Sequence, residues 1–319
     1  MAFLNQLGDN KTMQKIYYRS IRDQSIQVVD SPKRGSWLCV VNPSASELTA
    51  LEQQHSLDPD LLDDGIDLYE APRLERDGSN IYIYVRYCRP AGEHTSTHPL
   101  LLVITPNNII TVSRTDAEPV EKILAQGNIV TTQKVKLILE ILEEVNKGYR
   151  EHLNGVTKNI LSTRNKLQKT LVSNTDLLNF INIEEDLNEF LAALQPYGIV
   201  LHALLNGKYT KMHERDEDLI EDLQLSTNEL IELTKSRLKT IQNVRDAYSA
   251  IATNNLNQIF KRLTSIAIFM SVPTIIGGIY GMNVALPYDD HPQAFWIVLG
   301  IVTSVMTLFI LYFKRKKWL

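Results

Sequence analysis

Apolar and polar positions follow three different patterns along this chain, and each predicts a different kind of structure. Between Met13 and Ser113, short runs rich in β-branched and aromatic residues are bounded by turn formers: KTMQKIYY, SWLCVVN, SNIYIYVRY, HPLLLVIT and NNIITVS. Such runs predict strands. LLLVIT and IITVS flank Pro106-Asn107-Asn108, which predicts a hairpin. Between the strands, Ser44 with Glu47 three residues on is the signature of a capped helix start. Residues 1–118 are therefore expected to form a small α/β domain.

From about Glu118 the pattern changes period. QKVKLILEILEEVNKGYREHLNGVTKNILSTRNKL repeats apolar residues at three- and four-residue steps, as a helix face requires. A second helix is expected from near Thr175 to Asn206-Gly207, where Asn and Gly suit a stop. Residues 119–212 are thus expected to be helical. A third helix starts in the acidic stretch Glu214–Asp222, whose charge suits a helix N-terminus. No Gly or Pro follows until Pro273, so a stalk over 213–262 is expected to continue unbroken into the next apolar run. At 1.5 Å per residue such a helix would be about 100 Å long.

The last part of the chain is a different material. Leu263–Tyr280 and Ala294–Phe313 contain no charged residue. About 20 helical residues cross a ~30 Å hydrocarbon core, so spans are expected at 263–281 and 294–313. Ile259 and Phe260 can extend the first inward. Lys261 and Arg262 precede the first span, and Lys314, Arg315, Lys316 and Lys317 follow the second. The connecting loop, 282–293, has no Lys or Arg, so both termini and the basic tail, 314–319, are expected in the cytoplasm. Trp296, Tyr312 and Trp318 fall near span ends, where amphipathic rings favour the interface.

Composition then removes alternatives. A hydrophobic content of 44% is ordinary for a soluble protein, so the average conceals the two spans. A net charge of -4 argues against a nucleic-acid partner. Met1–Met13 lacks the basic-then-apolar layout of a signal peptide. Cys39 and Cys88 sit in expected strands without metal-ligand spacing; core thiols are expected, although sequence alone leaves a disulfide open. There is no phosphate loop, nucleophile triad or acid pair, so no enzyme and no organic cofactor is expected. His55, His94 and Glu184-Glu185-Asp186 are expected on solvated faces.

A stripe on the last long helix carries the functional reading. Alternating steps of four and three from Asp246 give Ala250, Thr253, Asn257, Phe260, Thr264, Ala267, Ser271, Thr274, Gly278 and Gly281. The mean step of about 3.5 marks one face in a supercoiled bundle. Nearly all of these residues are small or polar, in a segment otherwise dominated by Ile, Leu, Phe and Met. Small residues permit close helix packing, and that reading remains open for Gly277 and Gly278. Hydroxyls and an amide repeated at one azimuth suit a wet path enclosed by several identical helices.

At the end of the stripe stands Tyr280-Gly281-Met282-Asn283, followed by the second span and the tail YFKRKKWL. This combination closely resembles the CorA family of magnesium transporters. The resemblance implies an α+β membrane protein assembled as a funnel-shaped homopentamer in the plasma or inner membrane, with the first span lining the pore. It implies that Tyr280, Gly281, Met282 and Asn283 form the selectivity filter, Asn283 presenting an amide from each subunit. It places Asn257, Thr274 and Gly278 along the pore, where the stripe also puts Asp246, Thr264, Ala267 and Ser271, with Phe260 and Leu263 as its hydrophobic constriction. Leu62-Asp63-Asp64 with Ala71-Pro72-Arg73 resembles the family stretch that supplies an intracellular metal ligand. Asp64 and Asp222 of a neighbouring subunit would then hold a regulatory Mg2+, Asp246 being the weaker choice. Many relatives carry Met-Pro-Glu-Leu after the triplet; this chain has VALPYDD, so either Asp289 and Asp290 attract cations from a shifted position or the segment is an ordinary polar loop.

Function follows as passive Mg2+ influx gated by internal Mg2+. A dication moving inward gains about 4.6 kcal/mol per 100 mV, so the membrane potential suffices. A Zn2+, Co2+ or Ni2+ transporter of the same architecture is the alternative, as is a membrane-anchored coiled-coil scaffold. Softer metals favour His or Cys, and the stripe has neither.

Overall fold

All five expected strands form in a computed structural model that describes residues 13–91, 94–167, 174–206, 214–284 and 292–316. They are β1 (Met13–Tyr18), β3 (Trp37–Val41), β5 (Asn80–Ala91), β6 (His94–Ile104) and β7 (Ile109–Ser113). Two more complete the sheet, β2 (Gln27–Val28) and β4 (Arg73–Asp77). The order is β2-β1-β3-β7-β6-β5-β4. Among the described strands β3 and β7 form the one parallel pair, with Trp37 opposite Ile109. The β6–β7 hairpin is the one its Pro-Asn-Asn turn predicts, closed by the Thr105 N–H donating to the Asn108 carbonyl at 2.9 Å.

Helices cover both faces, which explains why the central strands are almost continuously apolar. On one face lie α1 (Ala45–His55) and α2 (Pro59–Asp64). The Ser44 N–H donates to the Glu47 carboxylate at 2.9 Å at the start of α1. Leu48, Leu51 and Leu62 pack there against Leu38, Val40, Tyr82, Tyr84, Leu101 and Val103. Because strand side chains alternate, Ile81, Ile83, Val85 and Tyr87 point to the other face. That face meets α3 (Glu118–Gln126), α4 (Lys134–Leu167) and α5 (Asn174–Leu205). Tyr149 of α4 is fully buried, sets its ring edge-on to Phe190 of α5, and donates its hydroxyl to the Arg86 carbonyl at 3.0 Å.

The long helix expected from the sequence is α6 (Glu214–Tyr280), 67 residues without a break, and α7 (Ala294–Arg315) follows it. By contacts the chain divides into Met1–Gln242 and Asn243–Leu319. In the first unit α6 is fastened to α4 by a buried polar pair: Asn146 Nδ2 donates to Thr227 Oγ1 at 3.0 Å. Arg150 adds an ion pair to Glu229 at 2.8 Å. The buried bond is worth about 1 kcal/mol; the exposed ion pair, less.

Two expectations are revised and one holds. Asp186 is not on a solvated face: it is buried and accepts the Thr95 N–H at 3.1 Å, so its acid is committed to the first residues of β6. His55 is half-buried, and burial lowers its pKa. Cys39 and Cys88 are free buried thiols, as the core reading expects; burial pushes Cys39 up to about 11 and Cys88 upward as well.

Candidate functional site

Asn243–Leu319 contains the apolar parts of α6 and α7, and very little of either apolar window is covered by the rest of the chain. Leaving that much contiguous apolar helix in water is unfavourable, so it requires lipid or further protein. Within this unit the two helices share one contact face. Ser265, Ile268, Phe269, Val272 and Ile276 of α6 are wholly or partly covered, and Phe269 meets Phe313 of α7 edge-on at 5.8 Å.

The polar stripe lies elsewhere on the cylinder. Asp246, Asn257, Phe260, Leu263, Thr264, Ala267, Ser271, Thr274 and Gly278 are all exposed. At 3.6 residues per turn, the stripe centres roughly 120° from the face that meets α7. A third face, with Ile259, Ile266 and Met270, is exposed and apolar. The α6 helix thus presents three surfaces of different chemistry, and α7 takes only one. The hydroxyls of Ser271 and Thr274 donate to the carbonyls of Ile268 and Met270 at 2.9 and 2.8 Å. Each donor is thereby satisfied in an apolar setting, while the oxygen keeps a lone pair for a water. A Cβ at Gly278 would meet nothing within 4 Å. Glycine at that position is therefore not required by packing inside this chain.

The helix closes at the triplet. Tyr280 is its last residue, the Gly281 N–H donates to the Gly277 carbonyl at 3.0 Å, and the Met282 N–H to Ile279 at 3.2 Å. Met282 and Asn283 are exposed bends just beyond this turn. The last carbonyls of α6 point toward them, and a helix C-terminus carries about half a negative charge. A cation beside Asn283 is favoured by that field without any carboxylate. Asp289 and Asp290 lie outside the described residues.

The acids assigned to regulation lie in the other unit, on different elements. Asp64 ends α2, and Gly65 presses against β6: a Cβ there would stand 2.6 Å from Leu101 Cδ2. Any side chain would lift the end of α2, so the glycine fixes where Asp64 projects. Its Oδ2 accepts from Arg73 at 2.6 Å, a partner that sequence reading did not assign to it. Asp222 is exposed on α6, in a groove of about 430 Å³ shared with Lys136, Glu140, Glu143 and Arg150. Burial raises the Glu140 carboxyl above its ordinary pKa. Among the described residues, no cluster of three His, Cys, Asp or Glu side chains is gathered to hold a metal within one chain.

An α/β unit, a long helix, and two apolar helices separated by a Gly-Met-Asn turn define a membrane protein of the two-span class. The chain matches the CorA-like Mg2+ transporter protein family over residues 32–315, and it belongs to that family. Membership places it among transporters rather than enzymes. It is 27% identical over 300 residues to the cobalt/magnesium transport protein CorA of Methanocaldococcus jannaschii, covering 89% of this chain and 91% of the relative. It is 22% identical over 293 residues to the magnesium transport protein CorA of Helicobacter pylori, covering 89% and 90%. The fold is similar to the complete structure of the CorA magnesium transporter from Methanocaldococcus jannaschii, with a TM-score of 0.86 at 23% identity over 96% of this chain and 99% of that one.

Proposed function

We propose that this chain is one subunit of a homopentameric magnesium channel that admits Mg2+ down the membrane potential and is closed by intracellular Mg2+. The observation that carries this reading is the exposed polar stripe, which runs along an otherwise apolar helix and ends at the Gly-Met-Asn turn. One chain supplies a single wall. Several α6 helices turned inward would enclose a wet path, with α7 and the Ile259, Ile266 and Met270 face toward lipid or neighbouring subunits.

Each residue type suits its place. Mg2+ sheds its waters reluctantly, so a ring of Asn283 amides with the carbonyls around Gly281 can hydrogen-bond the hydrated ion. Neutral oxygens bind weakly enough for exit, whereas buried carboxylates would hold a dication too firmly. Below the filter, Gly278, Thr274, Ser271, Ala267 and Thr264 leave width and offer lone pairs, and Leu263 and Phe260 form an apolar constriction. Asp246 lies on the same face nearer the cytosol. Asp289 and Asp290 would raise the cation concentration at the outer mouth, and the basic residues Lys261, Arg262 and Lys314–Lys317 favour an orientation with both termini in the cytoplasm.

Asp64 of one subunit and Asp222 of the next would hold the regulatory Mg2+. Their hard oxygens fit that ion, and Asp64 Oδ2 already faces a cation in the form of Arg73. Acids across an interface repel, and neutralising them favours the closed ring. Co2+ transport is a second reading, because a full-length relative is named for cobalt as well as magnesium.

The test is Mg2+ uptake into proteoliposomes with an imposed inside-negative potential. Uptake should rise with the potential and exceed that of Zn2+ and Co2+. Faster Co2+ flux would favour the second reading, and potential-independent leakage or no flux would overturn the channel.

A further inference from the structure

Arg73 opens β4 at the edge of the sheet and gathers three carboxylates, those of Asp64, Glu70 and Glu75. Its guanidinium also lies 4.0 Å from the centre of the Tyr84 ring. That ring is fixed in turn, because the Tyr84 hydroxyl donates to the Leu61 carbonyl at 2.6 Å. A guanidinium held on its face by a ring and along its edges by acids is a built feature rather than a loose surface side chain. One positive charge among three carboxylates leaves two negative charges uncompensated. The Asp64 side chain remains 42% exposed, so its carboxylate is open to solvent while one oxygen is engaged.

We propose that Arg73 is a tethered counter-cation that sets the Mg2+ affinity of Asp64 and so the internal Mg2+ concentration at which the channel closes. This rests on the assignment of Asp64 to the regulatory site. A fixed guanidinium next to a ligand carboxylate repels an arriving dication and competes for the same oxygen. It therefore raises the Mg2+ concentration needed for occupancy. Glu70 and Glu75 moderate the effect by sharing the guanidinium. Removing Arg73 should tighten Mg2+ binding, and removing Glu75 should weaken it. A purely structural clip between α2 and β4 would lower stability in both variants without opposite shifts in Mg2+ dependence.

The full-length protein in detergent is heated at a series of Mg2+ concentrations, and the half-saturating concentration for its rise in melting temperature is read. In Arg73→Gln that concentration should fall roughly three- to tenfold, in Arg73→Lys stay within about twofold of wild type, and in Glu75→Gln rise. An unchanged or higher value in Arg73→Gln overturns the proposal. Should Arg73→Gln fail to fold, the sign in Glu75→Gln decides: a rise supports it and no rise rejects it. Asp64→Asn separates the underlying assignment. If its half-saturating concentration matches wild type, the regulatory role of Asp64 fails and the proposal with it. If Asp64→Asn weakens binding while Arg73→Gln does not tighten it, only the role of Arg73 fails.

Discussion

Asn283→Ala is expected to reduce Mg2+ uptake at least about a hundredfold while leaving the melting temperature and oligomer size unchanged. Asn283 sits one residue past the turn that ends α6, exposed and outside any packed core, so losing its amide costs the fold little. The loss falls on the ion. An alanine ring offers no oxygen to the waters of Mg2+, and an unmet hydrogen bond to a charged partner costs about 1.5–3 kcal/mol per contact. Several such losses in one ring compound beyond two orders of magnitude. The measurement is uptake of Mg2+ by proteoliposomes at matched protein, with gel filtration of both proteins. Flux within threefold of wild type would remove Asn283 from the filter.

Asp222→Lys is expected to abolish inhibition of transport by internal Mg2+, raising the half-inhibitory concentration at least about tenfold. The side chain is exposed on α6, and among the described residues it makes no ion pair, so stability should hold. Charge reversal places an ammonium where a dication would bind and changes the local charge by two. At a few ångströms that difference exceeds the 1.4 kcal/mol equivalent to a factor of ten, even near a solvent-exposed surface. Inhibition is read as initial uptake against Mg2+ on the face exposing the Met1–Gln242 unit. An unaltered half-inhibitory concentration would reject the assignment.

Which parts of the chain were legible follows from the physics of each. The two apolar helices, the uninterrupted α6 and the stripe are carried by local periodicity and by the absence of charge, which one sequence displays in full. The central strands were legible because burial on both faces leaves runs such as LLLVI. Strand β4 was not, since RLERD lies at a sheet edge with little apolar burial to mark it. Helix α2 did carry a signal, because Asp58 caps it, accepting the Leu61 N–H at 3.1 Å, and Pro59 takes the first position. Pro196 within α5 shows that a proline need not end a helix held by tertiary packing.

Other features depend on partners far along the chain. Asp186 reads as one of three consecutive acids until β6 brings the Thr95 N–H to it. Arg73 reads as part of a motif with Asp64, yet its stacking on Tyr84 follows from the β4–β5 pairing, which sets the two residues opposite each other. The side of α6 that meets α7 is likewise fixed by Phe269 against Phe313, a pairing no periodicity specifies.

That division of α6 into three faces allows a direct test by cysteine accessibility. Single cysteines at Ser271 and Thr274, and for contrast at Val272 and Ile276, are introduced into protein whose native Cys39 and Cys88 are buried. A charged thiol reagent is then applied to proteoliposomes with and without Mg2+. A wet axis lined by the stripe predicts fast labelling at 271 and 274, slowed by Mg2+, and little at 272 and 276. Equal labelling at all four positions, or none at 271 and 274, would contradict it.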